Sequence, residues 1–573
     1  MMFNDFLNIP ALILIAGAFI LPLIPKNLRS AVFLIFPLIS LYIIWILSDG
    51  FILTVNIANY DLVLCKVDKL SKVFGYIFAI ITFIGGVYSY HIKETGQQSA
   101  ALLYAGGAMG VAFTGDYITF YLFWELMAVA STYLIWARRT PQAKQAGMRY
   151  ILVHIFGGSL ALAGIILHVT ETGSILISSL APDGRLASIL ILIGVAINAA
   201  IPPLHAWLAD AYPKATVTGA VFLSAFTTKT SVYVLLRIFP GWEILIFFGV
   251  AMALYGVVYA VLANDIRELL AYHIISQVGY MVAAAGLGTE MAINGAAAHA
   301  FSHILYKALL FMGAGAVLYS TGRSRLTELG GLAKAMPVVL GLYMIGAFSI
   351  SGFPLFNGFI SKSIIVAAAG TSQYDTAMLL LMLASIGTFL HTGLKLPYFT
   401  WFGESKEKIS PAKIPVNMII GMAAAAFLCT LFGIAPSLLY IHLPYPINYQ
   451  PYTLYHLMET TQILIFTFIA FWAFRKKLAG EDTIALDSDW LYRRYARSFK
   501  KIFVDEVDFG FNIVENLFAR LTASLVEFRK NPLVLFSRKE DEYYDPDKQR
   551  PSSQFLIMLI LASFLLIALI SII

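Results

Sequence analysis

An all-α polytopic membrane protein of about sixteen transmembrane helices is the fold class this sequence predicts, on three observations. Of its 573 residues, 59% are hydrophobic and 13% charged, with a mean hydropathy of +0.78. Soluble domains carry about a quarter charged residues. Apolar runs of roughly 18 to 25 residues recur from end to end, each long enough to cross a hydrocarbon core of about 30 Å. Two of the longest runs are interrupted by Pro and Gly, and the interruptions fall five spans apart. A five-helix unit has an odd number of crossings, so its repeat must be inverted in the membrane.

The spans are predicted in order at 8–25, 30–47, 70–90, 98–114, 117–137, 147–169, 187–211, 216–238, 242–263, 268–287, 291–320, 336–371, 376–402, 413–434, 457–475 and 553–573. Below they are spans 1 to 16. Span 1, "NIPALILIAGAFILPLIP", has no basic residue before it and is followed at once by another span, so it reads as a span rather than a cleaved signal. Span 7 contains "NAAIPPLHAW", with Pro202 and Pro203, and span 12 contains "SISGFPLFNGF", with Gly352 and Pro354. Such breaks survive at membrane depth only where protein or a watered cavity satisfies the freed backbone groups. Spans 4–8 and 9–13 are therefore the two expected inverted halves, with Lys229 of span 8 corresponding to Lys395 of span 13.

The expected organisation is an N-terminal three-helix segment (1–97), a first half-channel (98–238), a second half-channel (242–402), and spans 14 and 15 (413–475). An amphipathic stretch with its linkers (478–550) and a last span (553–573) complete it. In the amphipathic stretch Ile502, Val507, Phe511, Val514, Phe518, Leu521, Leu525 and Phe528 repeat at close to helical spacing, with Asp505, Glu506, Asp508, Glu515, Arg520, Glu527 and Arg529 among them. That pattern predicts a helix of roughly 30 residues, about 45 Å long, lying along the membrane surface against lipid headgroups or neighbouring helices.

Orientation follows from the basic loops. Loops after odd-numbered spans hold Lys26, Arg29, Arg138, Arg139, Lys144, Arg149, Arg323, Arg325 and Lys334, among others, whereas loops after even-numbered spans hold few basic residues. The odd loops are thus expected in the cytoplasm, both termini outside, and the amphipathic helix on the cytoplasmic side of the cell membrane. A net charge of +6 suits a basic cytoplasmic face and implies no nucleic acid. Cys65 and Cys429 are far apart, which argues against a disulfide framework or a metal cluster.

Ionisable residues inside spans cost about 2.5–3.5 kcal/mol on insertion scales, so they face protein or water and mark a path. Glu125 in "YITFYLFWELMAVASTYLIW" is a lone carboxylate among apolar residues, and Lys229 sits in "FTTKTSVYVLLR". His299, His303 and Lys307 follow one another at four-residue intervals in span 11, which places them on one helical stripe. Lys362 follows the break of span 12, and His391 and Lys395 share a face of span 13. For Glu125 and Lys229 the bland reading is a structural ion-pair member, for Lys395 a snorkelling residue near a helix end, and for His154, His168 and His273 a packing role. A zinc site on His299 and His303 lacks a completing Cys, Asp or Glu nearby. Together the groups form a chain of protonatable sites, for which proton translocation is the natural use. No P-loop, dinucleotide fingerprint, haem or iron–sulfur spacing is present, so neither cofactor nor metal is expected, and no redox or hydrolytic site of the chain's own.

Five motifs, "FYLFWELM", "PPLHAWLADAYPKA", "DIRELLAYHIISQVGYM", "HAFSHILYKALLFMGAG" and "SGFPLFNGFISK", resemble the antiporter-like subunits of respiratory complex I, Mrp sodium/proton antiporters and membrane-bound hydrogenases. The resemblance covers roughly residues 100–400. It implies fourteen core helices with broken helices 7 and 12 in two inverted halves. It further implies a proton path of Glu125, Lys229, the central Lys307 with His299 and His303 before it, and Lys362 as the terminal group; beside the resemblance, Lys395 is expected on the path and Asn198, His205, His273 and His391 as accessory groups. One position departs from the family pattern. Where the family usually has a lysine five residues before the proline of its "PxHxW" element, paired with the span-5 glutamate, this chain has Asn198. Either Lys229 takes over the pairing with Glu125, or the first half is a weak or silent channel. His273, where relatives commonly have a small hydroxyl residue, is a second departure. The amphipathic stretch resembles the lateral helix of the distal antiporter-like member of complex I, and "DSDWLYRR" (Asp487–Arg494) resembles Mrp-type and hydrogenase-associated relatives. The implied function is that of a proton-translocating subunit of a multisubunit membrane complex, moving protons and in a Mrp-like assembly also sodium. Its partners would be other antiporter-like and small helical subunits, lipid, and in some complexes a redox arm. A scaffold with a degenerate channel and a stand-alone antiporter are the alternatives.

Overall fold

The computed structural model describes residues 8–404, 409–481, 486–530 and 551–570. The parts of the expected 1–97, 478–550 and 553–573 segments at 1–7, 482–485, 531–550 and 571–573 lie outside the described residues. The chain forms two compact units, Met1–Asp489 and Trp490–Ile573.

Each predicted span of the first unit is occupied by helix. Spans 1 to 6 are Pro10–Ile20 (continued by a 3₁₀ turn, Leu21–Leu23), Arg29–Ile46, Lys69–Tyr88, Thr95–Phe113, Tyr117–Trp136 and Pro141–Thr172. Spans 9 to 11 are Ile244–Leu262, Ile266–Leu287 and Glu290–Thr321, and spans 14 and 15 are Val416–Ile434 and Leu454–Phe474. Eleven helices among the described residues are long and apolar enough to cross a membrane, and the shorter apolar helices include both first halves of the broken spans. The starts are set by local chemistry: Asp116 accepts from the Thr119 amide, Asp265 from those of Arg267 and Glu268, and Thr140 precedes Pro141 at the first helical position. Spans 8 and 10 are buried along their whole apolar windows and span 11 nearly so, whereas spans 2, 6 and 15 bury less than half of theirs. Span 11, which carries the His299–Lys307 stripe, therefore lies at the centre of the unit.

Between spans 2 and 3 the chain makes an antiparallel hairpin, β1 (Ile52–Ile57) and β2 (Tyr60–Lys66), turned by Ala58 and Asn59 at left-handed φ of 50° and 66°. It is tied to span 5, because the Val63 amide donates to the Asp116 carboxylate at 2.8 Å.

Spans 7 and 12 break as expected. Span 7 is Leu186–Asn198 and Ala206–Ala211, separated by the Pro202–Pro203 turn, and span 12 is Pro337–Ser351 and Asn357–Thr371. The left-handed Gly352, at φ 74°, ends the first half of span 12. The expectation that only these two are broken needs correcting. Span 8 is also interrupted, as Gly219–Leu223 and Thr227–Ile238. Neither Pro nor Gly causes that break. The Thr227 amide, left without its helical acceptor, donates to the hydroxyl of Tyr104 on span 4 at 3.0 Å. Span 13 begins as Asp375–Thr388 and widens into π-helix at Phe389–Lys395 and Tyr398–Phe402, a geometry common at functional positions.

The second unit consists of the helix Asp489–Lys500 from its second residue on, a π-turn at Lys501–Asp505, a 25-residue helix Glu506–Lys530 and an apolar helix Ser553–Ile570. On the long helix Val507, Phe511, Val514, Phe518, Leu521 and Leu525 are exposed.

Candidate functional site

The central axis is built on span 11, whose helical spacing stacks His299, His303 and Lys307, all fully buried. The His299 and His303 ring centres are 6.2 Å apart. His299 Nδ1 lies 3.0 Å from the Ser361 hydroxyl on the second half of span 12, and the Tyr306 hydroxyl approaches its Nε2 at 3.5 Å. The next residue of span 12, Lys362, sits 5.3 Å from the centre of the Tyr280 ring, which itself lies 5.8 Å from His299. The break of span 12 thus brings Lys362 to the end of the histidine stripe.

Three of the four lysines share a bonding pattern. Lys229 Nζ donates at 2.6 Å to the carbonyl of Ser224, which the span-8 break leaves exposed, and at 3.1 Å to Thr228. Lys362 Nζ donates at 2.8 Å to the Ile350 carbonyl at the end of the first half of span 12, and at 3.2 Å to Ser385. Lys395 Nζ donates at 2.5 Å to the Val261 carbonyl in the last turn of span 9. Each ammonium satisfies an acceptor that a helix end or break frees, which hydrocarbon could not do. Lys307 is different: its Nζ is buried with no hydrogen-bond partner among the described residues, and both ring nitrogens of His303 share that condition.

A side branch runs from this axis through His273 on span 10, whose ring centre is 5.5 Å from that of His391 in the π-segment of span 13. His391 lies one turn before Lys395. A cavity of about 400 Å³ opens on Lys362 from the other side. Its lining includes Ser363, Ser385, Tyr449 and, from span 15, His456 and Glu459. No pattern in the sequence singles out Glu459, although a carboxylate inside an apolar span is the signal that identified Glu125.

Glu125 stands apart from the axis. Among the described residues its Oε1 is buried without a hydrogen-bond partner, as is Oδ1 of Asn198, while the Tyr121 hydroxyl one turn earlier bonds to the carboxylate. Lys229 does not pair with Glu125; both of its hydrogen bonds go to residues of span 8. Two adjacent glycines of span 6 lie between spans 5 and 7: a Cβ on Gly158 would overlap Glu125 Oε1, and one on Gly157 would press on Ile197. His205 is buried at the start of the second half of span 7 and forms an ion-pair contact, Nε2 to Oδ1 at 3.3 Å, with Asp487. Among the described residues no cluster of three or more His, Cys, Asp or Glu has the arrangement of a metal site. What the buried chain of amines and imidazoles can do chemically is take up, hold and pass protons.

Residues 114–390 match the family model described as NADH:quinone oxidoreductase/Mrp antiporter, TM. One component of the Na(+)/H(+) antiporter of Alkalihalophilus pseudofirmus is 31% identical over 334 residues, covering 55% of this chain and 67% of that one. A second, much longer component of the same antiporter is 30% identical over 424 residues, covering 65% of this chain and 52% of that one. Among solved structures, a chain of the membrane-bound sulfane sulfur reductase, an archaeal respiratory membrane complex, superimposes with a TM-score of 0.70 at 22% identity, covering 98% of this chain and 99% of that one. This multi-pass membrane chain belongs to the antiporter-like family shared by NADH:quinone oxidoreductases and Mrp antiporters.

Proposed function

We propose that this chain is the proton-translocating, antiporter-like component of a multisubunit ion-pumping membrane complex. The observation that carries the reading is the buried series Lys229, Lys307, His303, His299 and Lys362, which runs through the most deeply packed helices of the first unit. In this reading spans 4–8 and 9–13 are inverted half-channels within about sixteen crossings. Glu125 and Lys229 act as the switch of the first half, and Lys307 is the hinge between halves. The proton passes from Lys307 along His303 and His299 to Lys362 and leaves through the cavity that Glu459 and His456 line. The branch through His273, His391 and Lys395 joins the second half to the basic face. The exposed apolar stripe of Glu506–Lys530 braces lipid or neighbouring subunits on the cytoplasmic side, with both termini outside. Its partners are other antiporter-like and small helical subunits, with a redox arm where the complex is an oxidoreductase, and sodium as the counter-ion where it is Mrp-type.

The test is Lys307→Ala in the intact complex. Proton uptake is abolished while the chain assembles at its normal level; normal uptake would refute the reading. A second reading, a non-pumping scaffold with a degenerate channel, is favoured by Lys229 bonding within span 8 rather than to Glu125, and by Asn198 in the family's lysine position. It is selected if the wild-type complex takes up protons at a rate that Lys307→Ala leaves unchanged.

A further inference from the structure

The linker that follows span 15 returns to the first unit and completes the break in span 7. Leu486, Asp487 and Ser488 make a set of hydrogen bonds to elements far away in sequence. The Ser488 hydroxyl donates at 2.8 Å to the carbonyl of Pro203, inside the break. The hydroxyls of Tyr255 on span 9 and Tyr272 on span 10 donate to the two oxygens of Asp487, at 2.5 Å and 2.7 Å. Tyr259 donates to the Leu486 carbonyl at 2.8 Å. Upstream, Gly480 packs against Asn264 and Leu326, and Glu481 lies within electrostatic reach of Lys395. All of these residues belong to the first compact unit. The linker is therefore a strap over the break of span 7 and over spans 9 and 10, and it adds Asp487 to a face that already carries both carboxylates and basic groups.

We propose that Asp487 and His205 form a proton-loading site at the break of span 7, in which the strap supplies the counter-ion for a proton on the buried imidazole. The proposal rests on the proton-translocating reading above and deepens it by naming an entrance. His205 is 1% exposed, its Nε2 lies 3.3 Å from Asp487 Oδ1, an ion-pair distance without hydrogen-bond alignment, and its Nδ1 is buried with no partner among the described residues. Burial alone would push the Asp487 carboxyl up, but His205 and the two tyrosine hydroxyls hold it well below the usual carboxylate range. The carboxylate is thus an anion throughout the working pH range. A proton from water adds to an imidazole nitrogen, forming one N–H bond. It leaves from the other nitrogen to a water entering the span-7 break, which becomes hydronium as the ring returns to neutral, while Asp487 stays ionised and acts as a positioning residue. The surrounding charges are Asp210 with Arg149 and Lys214, and Asp265, Arg267 and Glu268 at the start of span 10, of which Glu268 feels the Asp487 charge directly. His154, on span 6, packs against Trp207 two residues from His205.

The experiment uses the whole complex in proteoliposomes, with proton uptake driven by a potassium–valinomycin potential and read from an internal pH dye between pH 6 and 9. Asp487→Asn lowers uptake about tenfold at pH 8 and moves the half-maximal pH about one unit toward acid, because loading without the anion needs roughly ten times the proton concentration. Asp487→Glu restores the profile. His205→Gln lowers uptake as far as Asp487→Asn does, and the double variant is no worse than either single one, since the two act as a unit. The proposal is overturned if either assembled single variant keeps the wild-type rate and profile, or if the loss in Asp487→Asn is the same at every pH and Glu does not restore it. Where Asp487→Asn does not assemble, His205→Gln, which leaves the strap's bonds to Tyr255, Tyr272 and Pro203 in place, decides the matter by the same measurement. Lys307→Ala in parallel separates the two failures: if it abolishes uptake while both pair variants are normal, the loading site falls and the proton-translocating reading stands.

Discussion

Lys307 and Lys229 are both fully buried lysines of the central helices, yet replacing each with methionine has opposite consequences for stability. Methionine keeps the length and most of the apolar stem, so packing changes little. Lys229→Met removes two hydrogen bonds and strands the Ser224 carbonyl in the span-8 break. An orphaned buried acceptor costs about 1–3 kcal/mol, and the variant loses stability on that scale. Among the described residues Lys307 Nζ has no hydrogen bond to lose. Its polar head is an unsatisfied group carried at a similar cost of about 1–3 kcal/mol, so Lys307→Met is neutral or more stable. The two variants are thus separated by roughly 1–6 kcal/mol, while both lose proton uptake. The assay is thermal unfolding of the detergent-solubilised complex, followed by tryptophan fluorescence, beside the proteoliposome uptake measurement. The reasoning is refuted if Lys307→Met is destabilised as much as Lys229→Met, since Lys307 would then be a structural cation.

Two further predictions test the first half and the pH response. Gly158→Ala places a methyl where Glu125 Oε1 now lies, so the carboxylate swings aside without any change of charge; uptake falls several-fold with assembly intact, and the substitution has no added effect in a Glu125→Gln background. Asp68 caps span 3 and takes a two-pronged ion pair from Arg237 at 2.6 Å and 2.8 Å. Burial pushes its carboxyl up, but Arg237 outweighs this and its net position is below the ordinary value. A depressed folded-state value means the stabilisation is present above about pH 4 and is lost as pH falls through the folded value. Because Asp68 is about one-third exposed, Asp68→Asn costs only about 1 kcal/mol at pH 7. The unfolding temperatures of wild type and variant converge as the pH falls through the folded value, and a difference that stays constant at every acid pH at which the chain remains folded would contradict the assignment.

Much of the helical layout was legible because length and hydropathy suffice to mark a span, and because Pro202, Pro203, Gly352 and Pro354 announce two of the breaks. The stripe of His299, His303 and Lys307 was legible for the same reason: four-residue spacing on a helix needs no partner to be read. The hairpin is not legible in this way, although "ILTVNI" and "YDLVLCK" alternate, because a short half-exposed ribbon between two strongly apolar spans is masked by their signal. The break in span 8 carries no local mark at all. It depends on Tyr104, 123 positions away from Thr227, supplying the acceptor for a stranded amide. The docking of Asp487 is invisible in the same way, since its partners lie on three separate elements more than 200 positions upstream.

The lysine bonding pattern links the broken helices to the transport reading more closely than the sequence motif does. A break in the membrane frees carbonyls, and an ammonium that satisfies one is held in place by the same interaction that completes the backbone. Lys229, Lys362 and Lys395 are fixed in this way. Their donors are committed to carbonyls at helix ends and breaks, so moving any of them carries the cost of re-exposing an acceptor. Lys307 and His303 have no such commitment. The group at the middle of the path is therefore the one whose position and protonation can change without unravelling a helix end. A chain built for stability alone would have tied or removed that charge, and the fact that it remains buried and untied is the physical argument for Lys307 as the moving part.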